Sequence, residues 1–213
     1  MKHLLLSIAL LCAGLTVLQA QSAFSFGPVA GVNAASFRWV DPPNFAEDEQ
    51  LQFKPGWQVG LHLSYQFVGS LSLSTQPMFV RRGASMGEEN VNVRIDYLDI
   101  PLLLRVNATE ELFAEAGGYV GFRLDSRRYK DGEYAEDSQE YFDILHRDVD
   151  VGAILGLGYR LGERVSLSLR YSHSLTNLHE NIIFTDQNGE PLDDQPKLLQ
   201  QSVQLLFAYH LLH

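Results

Sequence analysis

Residues 165–171, VSLSLRY, carry the clearest structural signal in this chain, because apolar and polar side chains alternate at every position. The same alternation occupies most of residues 149–160, VDVGAILGLGYR, and residues 57–67, WQVGLHLSYQF. A fourth run, residues 203–211, lies close to the C-terminus. A period of two residues is typical of a β-strand with one apolar and one polar face. The chain is therefore predicted to be all-β.

Four further segments show the alternation less regularly and complete the predicted set of about eight strands. Their lengths suit strands that cross a bilayer at a tilt. These segments are residues 24–39, 71–82, 93–106 and 112–124.

The predicted connections between strands have two lengths. The short ones are residues 68–70, 107–110 and 162–163, and the long acidic ones are residues 42–52, 83–92, 126–147 and 178–196. Short turns at one end and long loops at the other are typical of outer-membrane barrels. We therefore predict an eight-stranded antiparallel up-and-down transmembrane β-barrel with short periplasmic turns and long extracellular loops.

The N-terminal residues have the composition of a secretory signal peptide. Lys2 and His3 precede an apolar stretch at residues 4–18, and Ala20 is followed by polar residues. The apolar stretch is shorter than the roughly 20 residues that a spanning helix needs. We predict a signal peptide at residues 1–20 and an outer-membrane β-barrel domain at residues 21–213.

Charge and cysteine content narrow the possible functions. The chain of 213 residues has 16 basic and 26 acidic residues, a net charge of -10. It lacks the basic surface that nucleic acid requires, so no nucleic-acid binding is predicted. The strand pattern instead predicts the outer-membrane lipid bilayer as the partner. Its one cysteine, Cys12, lies in the predicted signal peptide, which leaves the barrel domain without disulfides or thiol ligands.

The composition of the two strand faces predicts which one meets lipid. One face carries Leu and Val, with aromatic residues such as Trp57, Tyr159 and Tyr171 towards the strand ends, and the other carries Gly, Ser and Gln. Small polar residues suit a narrow lumen, and aromatic residues near strand ends suit the membrane interfaces. The alternative is a soluble, periplasmic lipocalin-like barrel, which keeps its apolar face inside to hold a ligand.

Several sequence segments resemble those of the PorT-like outer-membrane β-barrel family, also described as porin family proteins. Residues 97–104, YLDIPLLL, resemble its fourth strand, and residues 115–121, EAGGYVG, resemble its fifth. The other similar segments are residues 31–33, 54–57, 152–159 and 170–177. The resemblance covers nearly the whole mature chain and implies an eight-stranded outer-membrane barrel without a defined activity. Asp99 and Gln76 stand where the family usually has Glu.

Charged residues on the inner face of the strands are predicted to form a structural lumen charge network. The interior of an eight-stranded barrel is only wide enough for side chains to fill, and charges there must pair. Within the network we predict a contact between Glu115 and Arg170, with Gly156 and Gly158 making room in the lumen. The predicted members are Lys54, Asp99, Arg105, Glu115, Arg123, Asp148, Asp150, Arg160 and Arg170.

Catalytic pairs have weak support. His62 with Ser64, or His173 with Ser172 or Ser174, could suggest an outer-membrane lipid hydrolase, but His62 and Ser64 are not positioned relative to any identifiable acid. His173 and its neighbour Ser172 point to opposite faces of a strand. We predict no catalytic residues, cofactor or metal centre.

The predicted function is a non-enzymatic, plugged structural or partner-binding scaffold at the cell surface. Its long acidic loops would engage a protein partner, the cell surface or a secretion apparatus. Weak cation binding is an open alternative for residues 186–190 and for the acidic loop segments, which are residues 47–49, 88–89, 133 and 136–137.

Overall fold

The structure is a computed structural model. It describes residues 24–41, 51–86, 91–130, 133–134, 147–178, 185, 191–192 and 195–211. The predicted signal peptide lies outside these residues, so its prediction stays untested. No helix within the described residues is long and apolar enough to span a bilayer.

The described residues form ten β-strands, all paired antiparallel. In chain order they are β1 (Phe24–Val40), β2 (Leu51–Val68), β3 (Leu71–Thr75), β4 (Met78–Met86), β5 (Val91–Asn107), β6 (Leu112–Lys130), β7 (Glu133–Tyr134), β8 (Val149–Leu161), β9 (Val165–Ser174) and β10 (Lys197–Tyr209).

The ten strands make eight membrane crossings, which together form the wall of the barrel. β3 and β4 are two halves of one crossing, since both pair with β2 and with β5. The break falls at Gln76 and Pro77, where proline has no N–H to give to the ladder. β7 is a two-residue extension beside the end of β6. The predicted eight-stranded up-and-down barrel is confirmed.

The sheet is closed into a ring. Neighbouring strands pair in chain order, and β1 pairs with β10, as in the register of Val29 opposite Ala208. β5 also pairs along its full length with β6. Closure pairs the first wall strand with the last, so the backbone groups along this seam can be satisfied inside a bilayer.

The strands at the long-loop end are longer than predicted. β4 continues to Met86, where a loop was expected from Gly83, and β6 continues to Lys130 rather than ending before Ser126. Val91 pairs with both Met86 and Lys130. The backbone ladder continues because its hydrogen bonds do not depend on side-chain polarity.

The apolar face of each strand points outward. Leu155, Leu157 and Leu169 are 63%, 62% and 56% exposed, whereas Ser168 and Arg170 on the alternate face are buried. This confirms the predicted assignment of the faces. It contradicts the lipocalin-like alternative, which requires the apolar face inside the barrel.

Apolar side chains also fill part of the lumen. A cluster at the long-loop end consists of Phe37, Ala84, Val93, Ile95, Tyr97, Leu178 and Leu198, with Trp39 packed against it. A second cluster consists of Val29, Met78, Val80, Leu206 and Ala208.

Candidate functional site

The buried charges of the lumen lie in two layers. The upper layer, on the long-loop side, contains Arg82, Asp99 and Asp150, and the lower layer contains Arg105, Glu115 and Arg170. All six residues are buried. Three guanidinium groups face three carboxylates, so the two layers together are neutral. Pairing of this kind offsets the large cost of removing charges from water.

The lower layer is organised around the carboxylate of Glu115 on β6. Arg170 on β9 donates through Nε to Oε1 at 2.5 Å, and Arg105 on β5 donates through Nη2 to Oε2 at 3.1 Å. Arg170 also donates through Nη1 to Oε1 of Gln76 at 2.7 Å. The Arg105 guanidinium lies 4.0 Å from the centroid of the Phe113 ring. Both oxygens of Glu115 are therefore held by cationic donors.

Glycine on β8 makes this arrangement possible. Gly156 is the register partner of both Glu115 and Arg170. A Cβ atom at Gly156 would lie 2.9 Å from Cγ of Arg170 and 3.1 Å from Cγ of Glu115. At Gly158 a Cβ would lie 2.1 Å from Cζ of Phe113. The prediction that these glycines make room in the lumen is confirmed.

The upper layer is organised around the guanidinium of Arg82 on β4. This group forms ion pairs with Asp99 on β5 and with Asp150 on β8, the latter at 3.5 Å between Nη1 and Oδ2. It lies between the rings of Tyr97 and Tyr119, at 5.4 and 5.2 Å from their centroids. One cation therefore holds two carboxylates together in a site that is walled by aromatic rings.

Asp150 has further donors. The hydroxyl of Tyr119 donates to Oδ2 at 2.7 Å, and the hydroxyls of Ser174 and Thr176 donate to Oδ1 at 2.5 and 2.8 Å. These bonds hold the carboxylate on the wall that faces Arg82. The layer is therefore ordered by hydrogen bonds as well as by charge.

The structure brings five predicted network residues into the two layers. They are Asp99, Arg105, Glu115, Asp150 and Arg170. It also places Glu115 and Arg170 in direct contact, as predicted from the sequence.

Two predicted network residues lie instead at the long-loop rim. Arg123, whose side chain is only 9% exposed, pairs with Asp148 at 2.7 Å, and the Asp148 side chain is 81% exposed. Placing Asp148 in the lumen was wrong, because β8 begins only at Val149 and the preceding residue lies above the wall.

The other two predicted members also lie outside the layers. Arg160 sits at the short-turn mouth, where it donates to the carbonyl of Glu110 at 3.0 Å and to Oδ1 of Asn107 at 2.7 Å. Lys54 is half-buried next to Gly83, whose Cβ position would lie 3.2 Å from Cδ of the lysine. The β2–β4 register shifts between Phe53 and Gln58, so alternation from Trp57 does not extend to Lys54.

Arg82 was not among the lumen residues predicted from the sequence. The predicted strand ended at this residue, where polar side chains begin, so its side chain was not assigned to a face. Met78 and Val80 are buried at alternate positions, and continuing this alternation by two residues would have placed the side chain of Arg82 in the lumen.

The proposed serine–histidine pairs do not form hydrogen bonds with each other. Ser172 bonds to Ser202 at 2.7 Å, and the ring of His173 stacks on Tyr171. Nδ1 of His62 accepts a hydrogen bond from Nε2 of Gln76 at 2.9 Å.

A different histidine contacts two serines at the short-turn end of the lumen. The Ser25 hydroxyl lies 2.7 Å from Nδ1 of His210, and the Ser166 hydroxyl lies 3.0 Å from Nε2. The rings of His62 and His210 meet edge to face at 5.0 Å. Ser25 and His210 come from opposite ends of the described chain, so barrel closure alone brings them together.

Metal binding has limited support in the described ranges. Within them, no group of three or more His, Cys, Asp or Glu residues could hold a metal ion. The expected cation segment at residues 186–190 lies outside the described residues, as do the acidic segments at residues 47–49, 88–89 and 136–137.

A closed antiparallel barrel with an apolar outer wall and a charged lumen is the architecture of a transmembrane barrel of the outer membrane. The chain belongs to the outer membrane protein beta-barrel domain family, whose model matches residues 19–180. The protein is therefore a component of the cell outer membrane, and the bilayer is its environment.

Solved structures with a similar fold share little sequence with this chain. Ail, the attachment invasion locus protein of Yersinia pestis, is 11% identical with a TM-score of 0.48, over 88% of this chain and 99% of Ail. Neisserial surface protein A is 8% identical with a TM-score of 0.48, over 86% and 96%. OprG from Pseudomonas aeruginosa is 12% identical with a TM-score of 0.38, over 89% and 95%. No curated protein matches the chain.

Proposed function

We propose that this protein is a closed, non-enzymatic scaffold that presents its long extracellular loops to a partner at the cell surface. The observation that carries the proposal is the filling of the lumen by two ion-paired layers. The resemblance of residues 97–104 to the PorT-like family makes a secretion apparatus one candidate partner.

The polar contacts that support a closed lumen run from one side of the barrel to the other. Arg170 on β9 reaches Gln76, which lies between β3 and β4 on the opposite wall, at 2.7 Å. Arg82 on β4 reaches Gln200 on β10 at 2.9 Å. These contacts occupy the axis of an eight-stranded barrel, whose interior has room for little besides side chains.

Planar-bilayer recording of the purified full chain tests whether the lumen is closed. The wild type is expected to give no steady single-channel current. An Arg82→Ala and Arg170→Ala double variant is expected to conduct more than the wild type, because it removes one cation from each layer. Arg164→Ala, at an exposed periplasmic turn, is the control and is expected to behave like the wild type. Steady, ion-selective currents from the wild type would contradict a closed lumen.

Cross-linking in intact outer membranes tests the role of the loops. A variant with residues 135–146 replaced by a short Gly-Ser linker should keep the barrel, because the described strands β6 and β8 on either side of the replacement retain all their residues. A protein that cross-links to the wild type and not to this variant would support partner binding through the loop. Identical cross-linked species in both would contradict it.

A further inference from the structure

A cluster of charged side chains lies on the outer wall of the barrel at the long-loop end. The outer cluster consists of Arg81 on β4, Arg94 and Asp96 on β5, and Asp125 and Arg127 on β6. Its position on the outside follows from Trp57, which is 42% exposed on the lipid-facing wall and lies 5.1 Å below the guanidinium of Arg81.

Strand pairing places like charges side by side in this cluster. Arg94 is the register partner of Arg127, and Asp96 is the register partner of Asp125. Side chains directly opposite one another on a sheet have Cβ atoms about 4.5–5.5 Å apart, and like charges at such positions are destabilising. An anion that contacts both arginines would remove this repulsion.

The carboxylates of the cluster do not balance its cations. Asp96 is shared, since it accepts bonds from Arg81 at 2.8 and 3.0 Å and from Arg94 at 3.1 Å. Arg127 donates through Nε to Asp125 at 2.8 Å. Three guanidinium groups thus face two carboxylates, and one positive charge is left over.

Donor groups of the cluster are available to a ligand. Nε of Arg94 has no hydrogen-bond partner among the described residues but is buried, so a ligand would contact this residue through its Nη atoms. The side chains of Arg94 and Arg127 are 24% and 46% exposed. A planar guanidinium has further N–H groups that match the oxygens of a phosphate in a bidentate arrangement.

The depth of the cluster identifies the anions within its reach. The rings of Trp57 and Phe79 lie 5.2 Å apart directly below it, and such aromatic residues mark the membrane interface. Further along β5 the outward residues Leu98, Ile100 and Leu102 are apolar and exposed, as lipid-facing residues are. The cluster therefore lies at the level of the lipid headgroups of the outer leaflet.

We propose that the outer cluster binds the phosphate of an anionic lipid in the outer leaflet, with Arg94 and Arg127 as the donors. Asp96 holds Arg81 against Trp57 and positions Arg94, while the acyl chains of the lipid lie along the apolar wall beside β5. The site lies outside the lumen and does not depend on whether the barrel conducts.

The test measures which lipid stays with the protein. The full chain is reconstituted in nanodiscs of equal phosphatidylglycerol and phosphatidylcholine, extracted into mild detergent, and weighed by native mass spectrometry. The wild type is expected to retain phosphatidylglycerol several-fold more than phosphatidylcholine. Arg94→Gln with Arg127→Gln is expected to lose that preference, and Arg164→Gln at the periplasmic end is expected to keep it. Equal retention of the two lipids by the wild type would overturn the proposal, as would an unchanged preference in the double variant.

Two additional measurements distinguish direct lipid binding from other causes of the phosphatidylglycerol preference. Addition of EDTA is expected to leave the preference unchanged, whereas its loss would show bridging by a divalent cation instead of direct contact with arginine. Inorganic phosphate at the headgroup concentration is expected to leave the lipid bound, and displacement would overturn the assignment to a lipid. If circular dichroism shows that the double variant does not fold, Arg127→Gln alone is measured, since this side chain is the more exposed of the two.

Discussion

Glu115 and Arg170 meet across a strand that has no side chain at the crossing point. Glu115 is on β6 and Arg170 on β9, and Gly156 of the intervening β8 is opposite both of them. The carboxylate and guanidinium come within 2.5 Å because nothing projects between them. The same arrangement occurs in the upper layer, where Gly121 of β6 is opposite both Asp99 and Asp150. A glycine on one strand thus leaves space in which charged side chains of its two neighbouring strands pair with each other or share a third charged side chain.

Gly156→Val is expected to destabilise the barrel by about 1–3 kcal/mol, the usual cost of overpacking a filled interior. The new side chain would begin 2.9 Å from Cγ of Arg170 and push the ion pair apart. The measurement is a urea titration of liposome-inserted protein. Ala153→Val on the same strand is the matched control, because Ala153 faces outward and is exposed. Equal stability of the two variants would show that the lumen tolerates the added volume.

Glu115→Ala should cost more stability than Arg170→Ala. Loss of Glu115 leaves both Arg105 and Arg170 without their carboxylate, whereas loss of Arg170 leaves Glu115 paired with Arg105. Removal of one partner of a buried pair costs on the order of 3–5 kcal/mol. The cost of the double variant should be well below the sum of the single costs, since the residues interact directly. Additive costs in the urea titration would show that the pair contributes no coupling energy.

Arg82→Ala is expected to be strongly destabilising, by on the order of 3–5 kcal/mol, because Asp99 and Asp150 would lose the cation that they share. Asp99→Asn in that background should restore part of the stability, since a neutral amide is less costly to bury than an unpaired carboxylate. In the wild type, Asp99→Asn should instead destabilise. Urea titrations of the four proteins measure these changes, and an equal effect of Asp99→Asn in both backgrounds would argue against a shared ion pair.

Leu169→Arg should destabilise the inserted barrel by about 2–4 kcal/mol, the cost of an arginine on the lipid face near the bilayer midplane. Leu169 is 56% exposed on the outer wall of β9. Leu169→Phe is the control and is expected to change stability little, because it remains apolar. Unfolding in urea from liposomes measures both. A small effect of the arginine would place this position away from the hydrocarbon core.

Local alternation explains why so much of the fold was predictable. In β9 the polar residues Ser166, Ser168 and Arg170 are buried, and Leu169 and Tyr171 are exposed, as a period of two requires. The same reasoning led to the role of Gly156, because a strand residue faces the lumen or the lipid according to its position alone. Alternation did not predict the position of Lys54, because a register shift between β2 and β4 interrupts the period of two before this residue.

Arg82 and the outer cluster show two limits of prediction from alternation. The strand containing Arg82 was predicted to end there, because polarity rises at the level of the headgroups although the backbone ladder continues. The pairing of Arg94 with Arg127 follows a shift in the β5–β6 register between Asp96 and Tyr97. This pairing leaves no periodic signal in the sequence, whereas the alternation that includes Arg82 was cut short only by the predicted end of the strand.

The amino-acid sequence alone was sufficient to establish the strands, their two faces and the membrane environment, because side-chain direction and hydrophobicity act within a few residues. Apart from the pairing of Glu115 with Arg170, which was predicted, only the closed barrel decided which polar side chains of the lumen meet. Ser25 contacts His210, and Gln76 contacts Arg170, although 185 and 94 residues separate the members of each pair. Such contacts depend on the stagger and closure of the whole sheet, which set the height of each residue in the lumen.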